Sequence, residues 1–215
     1  GFRRKFGPFP KLLRSRRLRY AGFRKRMTVV NALFQAAREV GAFMEARGWR
    51  YCIIGGLAIQ RWGEPRATLD ADLTLLADFG DEEKYAKALL EAFEPRMPNA
   101  LPFALTRRVV LLRTAGGKDV DIGLGALPFE IDMVRRAVRH EFAPGVVLPC
   151  CTAEDLFVMK AFAARPKDWI DAENIAIRNP HLDAKYVLSQ LVPLCDLKET
   201  PEIVARAKQI LAGAK

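Results

Sequence analysis

The chain has 215 residues, 50% of them hydrophobic and 28% charged. That length buries a sizeable core in one or two closely joined domains without a disulfide or metal staple. With 15 glycines and 13 prolines it is no low-complexity or collagen-like polymer, and its two histidines, His140 and His181, exclude a multi-histidine metal site. No apolar run reaches the roughly 18 to 20 residues of a membrane span. The net charge of +10 sits at one end: residues 1–26 hold eleven Lys or Arg and no acid, while residues 27–215 set 24 basic against 25 acidic side chains. The pI therefore does not argue for a basic binding face on the body of the chain.

The basic tail, residues 1–26, admits three readings. It is an arm that contacts phosphates, a segment of transit-peptide type, or translated sequence upstream of a start at Met27, where well-patterned helix begins at once. The four cysteines, Cys52, Cys150, Cys151 and Cys195, include no C-x-x-C pair. The expectation is reduced thiols in a cytoplasmic protein, with Cys52 as a small core residue.

In chain order, apolar residues at helical spacing predict a helix over Thr28–Arg47, ended by Gly48. Tyr51–Ile54 reads as a short buried strand, broken by Gly55-Gly56, with a second helix over Leu57–Trp62. A loop through Gly63, Pro65 and Arg66 leads to a strand over Leu69–Leu76. Asp81–Phe93 is amphipathic, with Asp81 as N-cap, and Pro95–Asn99 is a breaker-rich loop. Arg108–Arg113 and Lys118–Leu124 flank Thr114-Ala115-Gly116-Gly117 as a hairpin. From Thr152 the chain is helical, with Thr152 and Asp155 forming a capping box and further helices near Lys167–Ile177, Asp183–Leu191 and Pro201–Leu211. This layout predicts an α/β (α+β) fold, a small mixed sheet flanked by helices over 27–148, followed by a helical subdomain over 149–215.

The chemistry concentrates between residues 53 and 73. A buried strand runs through Gly55 and Gly56 into a helix start, where the backbone can approach a ligand closely and free amides suit phosphate oxygens. Strand–Gly–Gly–helix turns also serve simple packing. Asp70 and Asp72, two apart on a strand, point to one face. Paired carboxylates beside Leu69, Leu73, Leu75 and Leu76 repel one another and are costly to bury without a cation. Oxygen ligands at that spacing suit Mg²⁺. A second acidic pair, Asp119 and Asp121, lies in the hairpin strand. Asp121 is the preferred third carboxylate, because Asp119 sits nearer the turn and fits a solvated side chain.

Gly55-Gly56, the spaced Asp70-x-Asp72 and a later strand acid resemble the nucleotidyltransferase fold of the polymerase-β type. The fuller pattern, Gly-Gly-x-Ala with Arg66-x-Thr68-x-Asp70-x-Asp72-Leu73, resembles the AbiEii-type nucleotidyltransferases, which include toxin halves of bacterial toxin–antitoxin pairs. The stretch from Thr152 to Lys160, then Arg165-Pro166-Lys167-Asp168-Trp169-Ile170-Asp171, is similar to that family's helical motifs. Gly56 departs from the Gly-Ser form that many members have.

The resemblance implies that Asp70, Asp72 and Asp121 hold Mg²⁺ and are the catalytic carboxylates. Gly55, Gly56, Arg66 and Thr68 would then bind phosphates. Lys160 would neutralise the triphosphate or steady the base, with Asp168 or Asp171 orienting it or an acceptor. Taken as residues alone, Lys160, Asp168 and Asp171 equally fit an ordinary surface ion-pair cluster. The implied reaction moves a nucleoside monophosphate from an NTP to a hydroxyl on RNA, such as a tRNA 3′ end, or on protein, with a cognate antitoxin as partner. Alternatives are transfer to a small molecule, as in antibiotic-modifying enzymes of the fold, an inactive copy of the fold used as a binding partner, and an RNA-binding protein driven by the tail.

Overall fold

A computed structural model describes residues 32–214. The basic tail and Met27 lie outside the described residues, and with them the start of the first expected helix. Helix α1 occupies residues 32–45 and ends before Gly48, whose φ of +69° is a conformation glycine adopts without strain. The other elements are β1 (Tyr51–Ile53), α2 (Gly55–Trp62), β2 (Asp70–Leu76), α3 (Glu82–Ala92), β3 (Glu94–Pro95), α4 (Ala100–Arg107), β4 (Val109–Arg113) and β5 (Asp119–Gly125). They continue with α5 (Pro128–Arg136), β6 (Val138–Ala143), β7 (Val146–Cys150), α6 (Ala153–Ala163), α7 (Pro166–Arg178), α8 (Ala184–Lys198) and α9 (Pro201–Gly213).

The strands form one mixed sheet in the order β3-β4-β5-β2-β1-β7-β6. Two of its pairings are parallel, β2 with β5 and β1 with β7. Chains that run parallel need a crossover, and α3, β3, α4 and β4 supply it between β2 and β5. On β2 and β5 the residues Ala71, Leu73, Leu75, Val120, Ile122 and Leu124 are buried and belong to a single core. The pleat therefore puts Asp70, Asp72, Asp119 and Asp121 together on the opposite face.

Helix α6 opens at Thr152, whose hydroxyl accepts the Asp155 N–H at 3.2 Å. The reciprocal half of the expected capping box is not formed, because the Asp155 carboxylate accepts from the Thr152 hydroxyl instead, at 2.9 Å. Asp81 departs from expectation. It precedes α3, but its side chain makes no capping hydrogen bond. Helix α8 runs past Leu191 through Pro193 to Lys198. Three stretches hold elements not foreseen: the short β3 at Glu94–Pro95, α4 between Asn99 and Arg108, and α5 with the β6–β7 hairpin before Thr152. The cysteines are unpaired and buried, Cys52 in β1 at the centre of the core. No helix among the described residues is long and apolar enough to cross a membrane.

Candidate active site

Parallel pairing of β2 with β5 sets Asp72 directly across from Asp121 and Asp70 across from Asp119. One oxygen from each of Asp70, Asp72 and Asp121 lies within 4.8 Å of the other two. Asp121, rather than Asp119, completes the cluster. Asp119 is taken by Arg113, whose Nε donates to Oδ1 at 2.9 Å.

The turn between β1 and α2 builds the floor of this cluster. Gly55 has φ +57°, and a Cβ there would collide with the Asp72 carboxylate. The absence of a side chain lets the Gly56 N–H donate to Asp72 Oδ2 at 3.2 Å. The first-turn amide read as a phosphate contact thus serves a carboxylate. A Cβ at Gly56 would meet the Thr68 side chain. The Thr68 hydroxyl in turn donates to Asp70 Oδ1 at 3.2 Å. Thr68 therefore steadies Asp70 from the space that a residue-56 side chain would need.

Burial, aided by the neighbouring charges of Asp70 and Asp121 and opposed by the Gly56 N–H, pushes Asp72 up to about 6. Burial also raises Asp121, against the pull of Arg96. Arg96 Nη1 stands 2.9 Å from Asp121 Oδ1, yet that buried oxygen accepts no aligned hydrogen bond. Three crowded carboxylates, one of them with an unused buried oxygen, are a donor set of hard oxygens that fits a divalent cation.

Across the cleft, α6 and α7 present a different electrostatic surface. Lys160 is buried, its Nζ 3.2 Å from Asp168 Oδ1 and 2.9 Å from Asp171 Oδ2. Arg165 pairs with Asp168 through both Nε and Nη2. Arg66 grips Asp171 with two parallel bonds, Nε to Oδ1 at 3.0 Å and Nη2 to Oδ2 at 2.9 Å. Although burial acts to raise Asp168 and Asp171, hydrogen bonds and charge from these cations outweigh it and hold both carboxyls below the usual range. Lys160, Asp168 and Asp171 are thus an interior cluster and not a solvated one.

The two surfaces enclose a cleft of about 340 Å³ lined by Gly55, Gly56, Arg66, Thr68, Asp70, Asp72, Asp121, Lys160 and Asp168. Of the ten residues singled out in the sequence, Asp171 alone is not in the lining; it stands behind, holding Arg66 and Lys160. The lining adds Arg165 and Lys167, which flank Pro166 at the start of α7, and the apolar Ile54, Leu156, Met159 and Ala163. The apolar positions carried no signal separable from helix core, since nearly every face of α6 is buried.

No protein-family model matches the chain, and no curated protein sequence matches it. Solved structures do share its fold. The solution structure of the antibiotic-resistance factor ANT(2″)-Ia superimposes with a TM-score of 0.51 at 19% identity, over 81% of this chain and 95% of that one. An antigenic nucleotidyltransferase-like protein from Paracoccidioides brasiliensis gives 0.50 at 16% identity, over 83% and 93%. At such identities the likeness is one of fold, and the fold is that of the nucleotidyltransferases.

Proposed function

We propose that this protein is a Mg²⁺-dependent nucleotidyltransferase that moves a nucleoside monophosphate from an NTP to a hydroxyl acceptor and releases pyrophosphate. The observation that carries the reading is the cluster of Asp70, Asp72 and Asp121 at the mouth of a cleft in a nucleotidyltransferase fold. Asp70 and Asp72 would hold Mg²⁺ against the triphosphate, and Asp121 would complete the site on the side of the attacking hydroxyl. Bound Mg²⁺ supplies charge neutralisation for the phosphates and a more acidic hydroxyl. Thr68 and the Gly56 amide hold the first two carboxylates in place before substrate arrives. Lys160, Arg66 and Arg165 line the cleft as a positive wall for the triphosphate, each kept in position by Asp168 or Asp171. The acceptor oxygen forms its bond to the α-phosphorus in line with the departing pyrophosphate.

Within that class, the pattern Arg66-x-Thr68-x-Asp70-x-Asp72 supports an AbiEii-type enzyme. Its acceptor would be RNA or protein, and its setting a cytoplasmic toxin–antitoxin pair with a cognate antitoxin. Residues 27–148 would form the catalytic domain and residues 149–215 a helical subdomain closing the cleft. A second reading, transfer to a small hydroxyl-bearing molecule, is favoured by the shared fold with an antibiotic-resistance factor along 95% of that protein's length.

The test is label transfer from each α-labelled NTP, with Mg²⁺, to total RNA, to total protein and to a panel of small hydroxyl-bearing antibiotics, with Asp72→Asn in parallel. We expect Mg²⁺-dependent label on one acceptor class and at least a thousandfold loss in the folded variant. Undiminished transfer by Asp72→Asn would sink the assignment.

A further inference from the structure

We propose that Arg96 is a positioning residue for the cation site. Its guanidinium neutralises Asp121 while the site holds no cation and passes to Asp119 when a divalent cation takes Asp121. The proposal rests on the reading of the three carboxylates as a cation site.

Arg96 follows β3, and its N–H donates to the Leu111 carbonyl at 3.1 Å, which continues the β3–β4 ladder by one residue. Leu111 is the register partner of Asp121 across β4 and β5. The backbone therefore delivers the guanidinium to the acidic face of β5. One nitrogen, Nη1, reaches two carboxylates, Asp121 Oδ1 at 2.9 Å and Asp119 Oδ2 at 3.4 Å. The side chain is only 18% exposed, so it is held there and does not sweep through solvent. It is not part of the cleft lining, which includes Asp121 itself.

The neighbours of the other two carboxylates are of a different kind. Asp70 and Asp72 receive neutral donors, the Thr68 hydroxyl and the Gly56 N–H. Among the described residues, Arg96 is the one cation within 4.0 Å of a carboxylate of the cluster. Three adjacent carboxylates repel, and the repulsion is relieved either by this guanidinium or by a divalent ion. Both favour the same oxygens, so they compete. Asp119 gives the displaced guanidinium a second partner within a short side-chain movement. Its own Oδ1 is already held by Arg113, which keeps Oδ2 turned toward Arg96.

The experiment is equilibrium binding of Mn²⁺ to the full chain without nucleotide, read by electron paramagnetic resonance. Arg96→Gln should bind Mn²⁺ about tenfold more tightly, the size expected when one unit charge a few ångströms away is removed in a partly wet site. Arg96→Lys, which keeps the charge, should stay within about twofold of the unmodified protein. Asp119→Asn should bind more weakly, because Arg96 then has Asp121 alone. That loss should shrink when Arg96→Gln is already present, as a double-mutant cycle reads directly. Unchanged or weaker binding by Arg96→Gln overturns the proposal, and so does a strictly additive cycle. Protein that binds no Mn²⁺, or binds it equally well as Asp72→Asn, overturns the cation site and the role of Arg96 with it. A loss of site integrity shows separately as a changed melting profile.

Discussion

At Gly55 one hydrogen decides whether the site exists. The φ of +57° is strained for any other residue, and a Cβ would press on the Asp72 carboxylate. Gly55→Ala should cost about 1–3 kcal/mol in urea unfolding and abolish label transfer, since the Gly56 N–H can no longer seat Asp72. A stable, active Gly55→Ala protein would contradict this account of the turn. Gly56 and Thr68 form a similar unit, because the threonine occupies the volume that a side chain at 56 would claim. A serine introduced at Gly56 therefore requires a smaller residue at Thr68.

At the scale of elements, Asp171 on α7 joins Lys160 on α6 to Arg66 in the segment leading into β2. With Asp171 only 5% exposed, Asp171→Asn leaves two cations short of a partner. It should cost about 2–3 kcal/mol, seen as a lower urea midpoint at unchanged slope. The exposed pair of Arg178 and Glu64 offers an internal contrast, because Glu64→Gln should cost well under about 1 kcal/mol.

These elements also show what could be read before the structure. The β2 acids, the paired glycines and the β4–β5 hairpin are local signals, carried by period-2 spacing and turn chemistry. Helix α4 was hidden because Pro98, Asn99 and Pro102 resemble breakers. Pro102 falls in the first turn, where a missing N–H costs little. The β6–β7 hairpin was hidden because β6 is an edge strand with largely polar, accessible residues and β7 contains Pro149. Arg96 had no signal at all. Its closeness to Asp121 comes from the register of β3 on β4, a tertiary fact that neighbours in sequence do not encode. Lys160 was ambiguous for a related reason, since burial by α7 and the Arg66 segment is what separates an interior ion cluster from a solvated one.

For the whole molecule, the two walls of the cleft give stability opposite pH dependences. Asp72 ionises near 6 in the folded chain and near 4 when unfolded, so the folded state binds the extra proton between those values. In the absence of divalent cations, stability should fall as pH rises from about 4 to 6, by about 2–3 kcal/mol at most, and level off above. Asp168 and Asp171 are depressed, so their contribution is present above the unfolded carboxylate range near 4 and disappears as pH drops through their folded values. Urea midpoints against pH should therefore peak in mild acid. Asp72→Asn should flatten the limb above the peak, and Asp168→Asn the limb below it. A profile unchanged by Asp72→Asn would show that this carboxylate is not the buried group described.

The parallel pairing of β2 with β5 has a consequence for synthesis. A ribosome makes Asp70 and Asp72 well before Asp121, and the helices carrying Lys160 and Asp171 later still. Until β5 has emerged and docked beside β2 there is no third carboxylate, and until α6 and α7 have folded there is no opposing wall. The two sides of the cleft therefore assemble in a fixed order, the acidic face first and the wall of α6 and α7 after it.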